Sequence, residues 1–122
     1  MGKGFEELKV WQKAKDLAVL IYKITGEGKI AKDFSLRDQM RRLAISIPSN
    51  IAEGDERDTD KESVRFFYIS KGSLAELRTQ IRIALEVGFL DKDEFAKIDL
   101  DCSEIGKMLG GIIKHRKGEI RL

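Results

Sequence analysis

Cysteine, proline, tryptophan and histidine each occur only once in this 122-residue chain. A lone Cys102 excludes an intrachain disulfide and a cysteine-rich metal site. A lone His115 excludes a two-histidine zinc site. It also excludes the paired Glu-x-x-His motifs of a di-iron bundle, because Ile112 stands three positions before it. Helical ribonucleases that place an Arg four to six residues ahead of a His are excluded too, since Leu109, Gly110 and Gly111 hold those positions. No phosphate-cradling Gly-x-x-x-x-Gly-Lys-Ser/Thr run occurs. No apolar stretch approaches the roughly 20 residues that cross a bilayer. The opening Met1-Gly2-Lys3-Gly4-Phe5-Glu6 lacks the apolar region of a signal peptide, and Glu6 stands where a myristoylation signal wants Ser or Thr. These absences lead us to expect a cytoplasmic protein with no membrane association, no cofactor, no metal and no catalytic residues.

What is present favours helix. Charged residues make up 36% and hydrophobic residues 42%, a balance that folds and stays soluble. The length suits one domain, 1–122, with a single core. The net charge is only +2, so no global field demands a polyanionic partner.

Periodicity and capping signals divide the chain into four helices. The first is expected from Phe5 to Ile24, with Val10, Ala14, Leu17, Ile21 and Ile24 on one stripe, and is broken by Thr25-Gly26-Glu27-Gly28-Lys29. The second is expected to start at an N-cap Ser35, with Phe34 as a hydrophobic staple, and to end at Gly54. Its stripe of Leu36, Met40, Leu43, Ile47 and Ile51 runs through Pro48, which predicts a kink there. The third opens with a capping box, Thr59 to Glu62, and runs to about Val87. The fourth opens with a second box, Asp91 to Glu94, carries Phe95, Ile98, Cys102, Ile105, Leu109 and Ile112 on one stripe, and ends at Gly118.

The short link between the last two helices predicts an antiparallel hairpin. Pairing residues whose numbers sum to 179 sets Ile81 against Ile98, Leu77 against Cys102, Leu74 against Ile105 and Phe67 against Ile112. It also places Gly72 level with Gly106 to Gly110, which suggests a close approach of the two backbones. The expected fold is all-α: an up-down-up-down antiparallel four-helix bundle with a kinked second helix.

Apolar residues remain beyond those stripes: Val19, Leu20, Phe66, Ile69, Ile83, Val87, Leu100 and Met108. They either broaden the core or mark a surface for self-association. The acidic run Asp55, Glu56, Asp58, Asp60 and Glu62 lacks the glycine and terminal Glu spacing of a calcium loop, and suits a solvated turn before the third helix.

Positive charge gathers in three places: Arg37, Arg41 and Arg42; Lys71, Arg78 and Arg82; and Lys114, His115, Arg116, Lys117 and Arg121. These are candidate contacts to RNA or DNA phosphates, although the helix dipole alone also accounts for the last group.

Three stretches carry a resemblance: Phe5-Glu-Glu-Leu-Lys-Val-Trp-Gln-Lys-Ala14, Ser46-Ile-Pro-Ser-Asn-Ile-Ala-Glu-Gly54 and Lys71-Gly-Ser-Leu-Ala-Glu76. In this order and spacing the chain resembles the four-helix bundle family encoded in intervening sequences of bacterial 23S rRNA genes, sometimes filed as ribosomal proteins. The family is similar to the accessory protein of diversity-generating retroelements, a basic pentameric bundle that binds nucleic acid and a reverse transcriptase. The resemblance implies a homopentamer. This sequence departs from the family's pattern at Leu43, where a small Ala is common, and at Arg78 and Arg82, where relatives are often acidic or neutral. Among the motif residues, Ser46, Asn50, Glu53, Ser73 and Glu76 form either a polar interhelical network or a small-ligand or partner site. Two functions stay open: an oligomeric RNA- or DNA-binding accessory protein, and a protein-interaction scaffold that binds no nucleic acid.

Overall fold

A computed structural model describes residues 4–119. The Met1–Lys3 start and Arg121 lie outside these residues. Four α-helices form an antiparallel bundle: α1 (Lys9–Thr25), α2 (Phe34–Asp55), α3 (Asp60–Glu86) and α4 (Lys92–Arg116). Neighbours in sequence pack against each other and α4 closes the ring against α1. The α2–α3 interface is the most extensive and the α1–α4 interface the sparsest.

The core follows the expected stripes. Ala14, Leu17 and Ile21 of α1, Met40, Ile47 and Ile51 of α2, Phe67, Leu77 and Ile81 of α3, and Ile98, Cys102, Ile105 and Leu109 of α4 are all buried. The hairpin register is also as expected: Arg116 reaches Ser63, Leu74 meets Gly106 and Arg78 meets Asp99. Pro48 does not end its helix; α2 is continuous through it.

Two boundaries differ from the sequence reading. Helix α1 does not begin at Phe5. Residues Gly4–Glu7 form a separate 3-10 turn and Leu8 is extended. The Phe5 ring sits edge-on to Trp11 at 5.2 Å, and the Gln12 side chain donates to the Glu6 carbonyl at 2.9 Å, so the turn is tied down from outside. Helix α2 is capped by Asp33, not Ser35: the Asp33 carboxylate accepts from the Leu36 backbone N–H at 3.0 Å. Phe34 is therefore the first helical residue; it is 64% exposed under the Arg37 guanidinium and is not a staple. At α3, Thr59 accepts from the Glu62 N–H. The reciprocal box is complete at α4, where Asp91 and Glu94 each bond the other's backbone.

The glycine expectation also fails. A Cβ on Gly72, Gly110 or Gly111 would meet nothing within 4 Å, and one on Gly106 would make only ordinary contact with Leu74. Gly72 is exposed and points away from α4, so it cannot bring the backbones together. The close approach lies elsewhere. A Cβ on Gly54 would come within 2.7 Å of the Phe67 ring and 3.0 Å of the Ser63 carbonyl, so α2 and α3 converge where only glycine fits.

Candidate functional site

The motif residues of α2 and α3 meet in part. Asn50 Nδ2 donates to the Ser46 carbonyl at 2.9 Å and to Ser46 Oγ at 3.0 Å. Ser46 Oγ lies 2.9 Å from Ser73 Oγ across the interface. Fully buried Ser70, which the sequence reading passed over, donates from Oγ to the Ile47 carbonyl at 2.8 Å. Gln39 and Gln80 bridge the same seam farther along, at 2.9 Å. The only sequence signal for Ser70 was its place on the α3 stripe between Phe67 and Leu74. Glu53 turns instead to Arg57, just past the end of α2. Glu76 is exposed and has no hydrogen-bond or ion-pair partner among the described residues. The five candidates thus resolve into a three-residue latch and two surface carboxylates. The latch joins hydroxyls and an amide with no buried charge, which suits helix pairing better than chemistry.

Of the nine basic candidates, six are engaged within the chain. Arg37 donates to the Ala31 carbonyl at 3.0 Å and pairs with Asp38. Arg41 donates to Thr25 Oγ1 at 2.8 Å and to the Tyr22 carbonyl at 3.2 Å, and its guanidinium stacks over the Tyr22 ring. It fastens the end of α1 to α2. Arg78 pairs with Asp99, and Arg82 lies over the Phe95 ring. Arg116 pairs with Asp55 at 2.8 Å, donates to Ser63 Oγ at 3.2 Å and covers the Phe67 ring. Tyr68 first, then Glu119, holds the Lys117 ammonium above its usual pKa.

Arg42, Lys71 and Lys114 are exposed and without an acidic partner among the described residues. They do not form one patch. Arg42 faces outward from α2, Lys71 lies on the α4 side of α3, and Lys114 shares the outer ridge of α4 with Lys107, which sequence reasoning had missed.

Other groups are poor candidates for chemistry. Burial pushes the Cys102 thiol up to about 12, so it stays protonated. His115 is exposed at the end of α4. No group of three or more His, Cys, Asp or Glu side chains able to hold a metal occurs among the described residues. None of the described helices is long and apolar enough to cross a membrane.

The exposed apolar residues are better organised. Val19, Tyr22 and Ile45 share the face between α1 and α2, and Ile69, Ile83 and Val87 line the outer side of α3. Leu20 and Met108, expected as surplus, instead pack half-buried against the core, and Phe66 lies half-buried beneath Arg57.

The class these features define is an all-α four-helix bundle whose distinctive surfaces are apolar faces and a polar interhelical latch. The family model described as 23S rRNA-intervening sequence protein matches residues 6–111. The chain belongs to that family. It is similar to the crystal structure of a protein of unknown function from the S23 ribosomal protein family of Bacteroides thetaiotaomicron, with a TM-score of 0.79 and 25% identity. The match covers 86% of this chain and 98% of that one. No functionally curated protein matches the chain.

Proposed function

We propose that the chain is a non-catalytic, cytoplasmic helical module that assembles with copies of itself. One observation carries this reading: nine large apolar side chains among the described residues are at least 42% exposed, and six of them gather on two faces. A monomer gains nothing by holding such faces in water, whereas burying them on a second chain contributes about 25 cal/mol per Å². The family resemblance supports a pentamer as the subunit count. Sedimentation velocity across the micromolar range tests the reading. A species of several chains is expected, and a monomer throughout would overturn it.

A second reading, binding of RNA or DNA, has its own observation. Lys71, Lys107 and Lys114 are exposed on α3 and α4, with Arg78 and Arg82 two and three turns along α3 from Lys71. Repetition around an assembly would multiply each modest patch. Fluorescence anisotropy with structured RNA and duplex DNA at two salt concentrations tests it. Binding should weaken as salt rises and be lost in a Lys71→Ala, Lys114→Ala variant. No binding at low salt would leave a protein-interaction scaffold.

A further inference from the structure

We propose that the face between α1 and α2 of one copy receives the outer ridge of α3 from another, head to tail. The proposal rests on the self-assembly reading above and names the two surfaces that mate.

The receiving face is a shallow hollow of about 490 Å³ floored by Ala18, Val19, Tyr22, Ile45 and Pro48. A second hollow of about 420 Å³, lined also by Asp38, continues it past Tyr22 and Ile45 to Arg41 and Arg42. Its floor is set in advance, because Arg41 holds the Tyr22 carbonyl and stacks on the Tyr22 ring at 4.6 Å. Its rim is basic. Lys23 and Arg42 are exposed without an acidic partner among the described residues, whereas the nearby Asp16 and Asp38 are paired to Lys15 and Arg37.

The ridge has the complementary character. Ile83 and Val87 stand 46% and 57% exposed on α3. Glu76 and Glu86 lie on the same side of that helix, one before and one beside this apolar pair. Both are exposed and without a basic partner among the described residues. At 1.5 Å per residue the two carboxylates are about 15 Å apart along the axis. A convex apolar ridge flanked by unpaired acids thus fits a concave apolar face flanked by unpaired bases.

Each copy carries both halves, so the occupant is supplied by the chain itself. The two surfaces sit on different sides of the bundle. The contact is therefore heterologous, and repeating it closes a ring or extends a filament.

Charge reversal on the full chain tests the pairing by sedimentation velocity, with circular dichroism confirming an unchanged helical fold at these exposed positions. Lys23→Glu with Arg42→Glu, and separately Glu76→Lys with Glu86→Lys, should each weaken self-association about tenfold or more, a loss of roughly 1.4 kcal/mol. The chain carrying all four reversals should regain assembly. A wild-type chain that stays monomeric would sink the self-assembly reading itself. A wild-type chain that assembles, with double variants that assemble equally well, would overturn only this assignment of faces. Double variants that dissociate without recovery in the fourfold variant would likewise overturn the pairing.

Discussion

The α2–α3 and α1–α4 interfaces close the same bundle by different means. Between α2 and α3 the chain places a glycine against an aromatic ring, a three-residue polar latch and a buried serine bonded to a backbone carbonyl. Between α1 and α4 it leaves an apolar hollow of about 280 Å³ lined by Leu8, Val10, Met108, Gly111 and Ile112, crossed nearby by an exposed Lys13–Glu104 ion pair. That pair lowers the Glu104 pKa and raises that of Lys13, chiefly through their hydrogen bond, but solvent screens it. One seam specifies its partner atom by atom. The other is held by apolar contact and one solvent-screened ion pair.

The largest expected effect separates the seams directly. Phe67→Ala should destabilise by about 3–5 kcal/mol, because the ring is fully buried against Gly54. Met108→Ala, at the half-buried edge of the other seam, should cost under about 1.5 kcal/mol. Urea melts of both variants check the ordering, and equal losses would erase the distinction. Next come the glycines. Gly54→Ala should cost about 1–3 kcal/mol through overpacking. Gly111→Ala, opening on the hollow, should stabilise by up to about 1 kcal/mol through helix propensity. Smaller again is Asn50→Ala, which should lose about 1 kcal/mol from the latch while leaving assembly intact.

The last effect is a pH dependence at the centre of the core, confined to alkaline solution. The folded thiol of Cys102 titrates near 12 against an ordinary 9.0, so the folded state binds that proton more tightly than the unfolded chain does. Its contribution is intact below about pH 9 and declines as pH rises toward 12. Cys102→Ser should flatten that part of the alkaline stability curve, read from melting temperature against pH.

Much of the fold was legible in the sequence, and the rest was hidden for physical reasons. The 3-4 spacing from Phe95 to Ile112 fixes one face of α4, and the hairpin register follows from it. Asp91 and Glu94 mark a helix start because both halves of a capping box lie within one turn. Asp33 was overlooked because Ser35 is an equally good cap by type, and only the turn after Lys32 decides between them. The open glycines of α3 and α4 misled because a missing side chain carries no information about which way its Cα points. Arg41 and Arg116 read as free charge because their partners, Thr25 and Asp55, are 16 and 61 residues distant. Which basic residues remain for a partner is a tertiary property, and composition does not encode it.

Arg116 also has a meaning in the order of synthesis. Its contacts to Asp55, Ser63 and the Phe67 ring tie the corner between α2 and α3 to the last turn of α4. On the ribosome that corner emerges 53 to 61 residues ahead of its clamp. A product truncated before Arg116 would keep most of its helices yet lose the cation over the Phe67 ring and leave Asp55 without its ion pair.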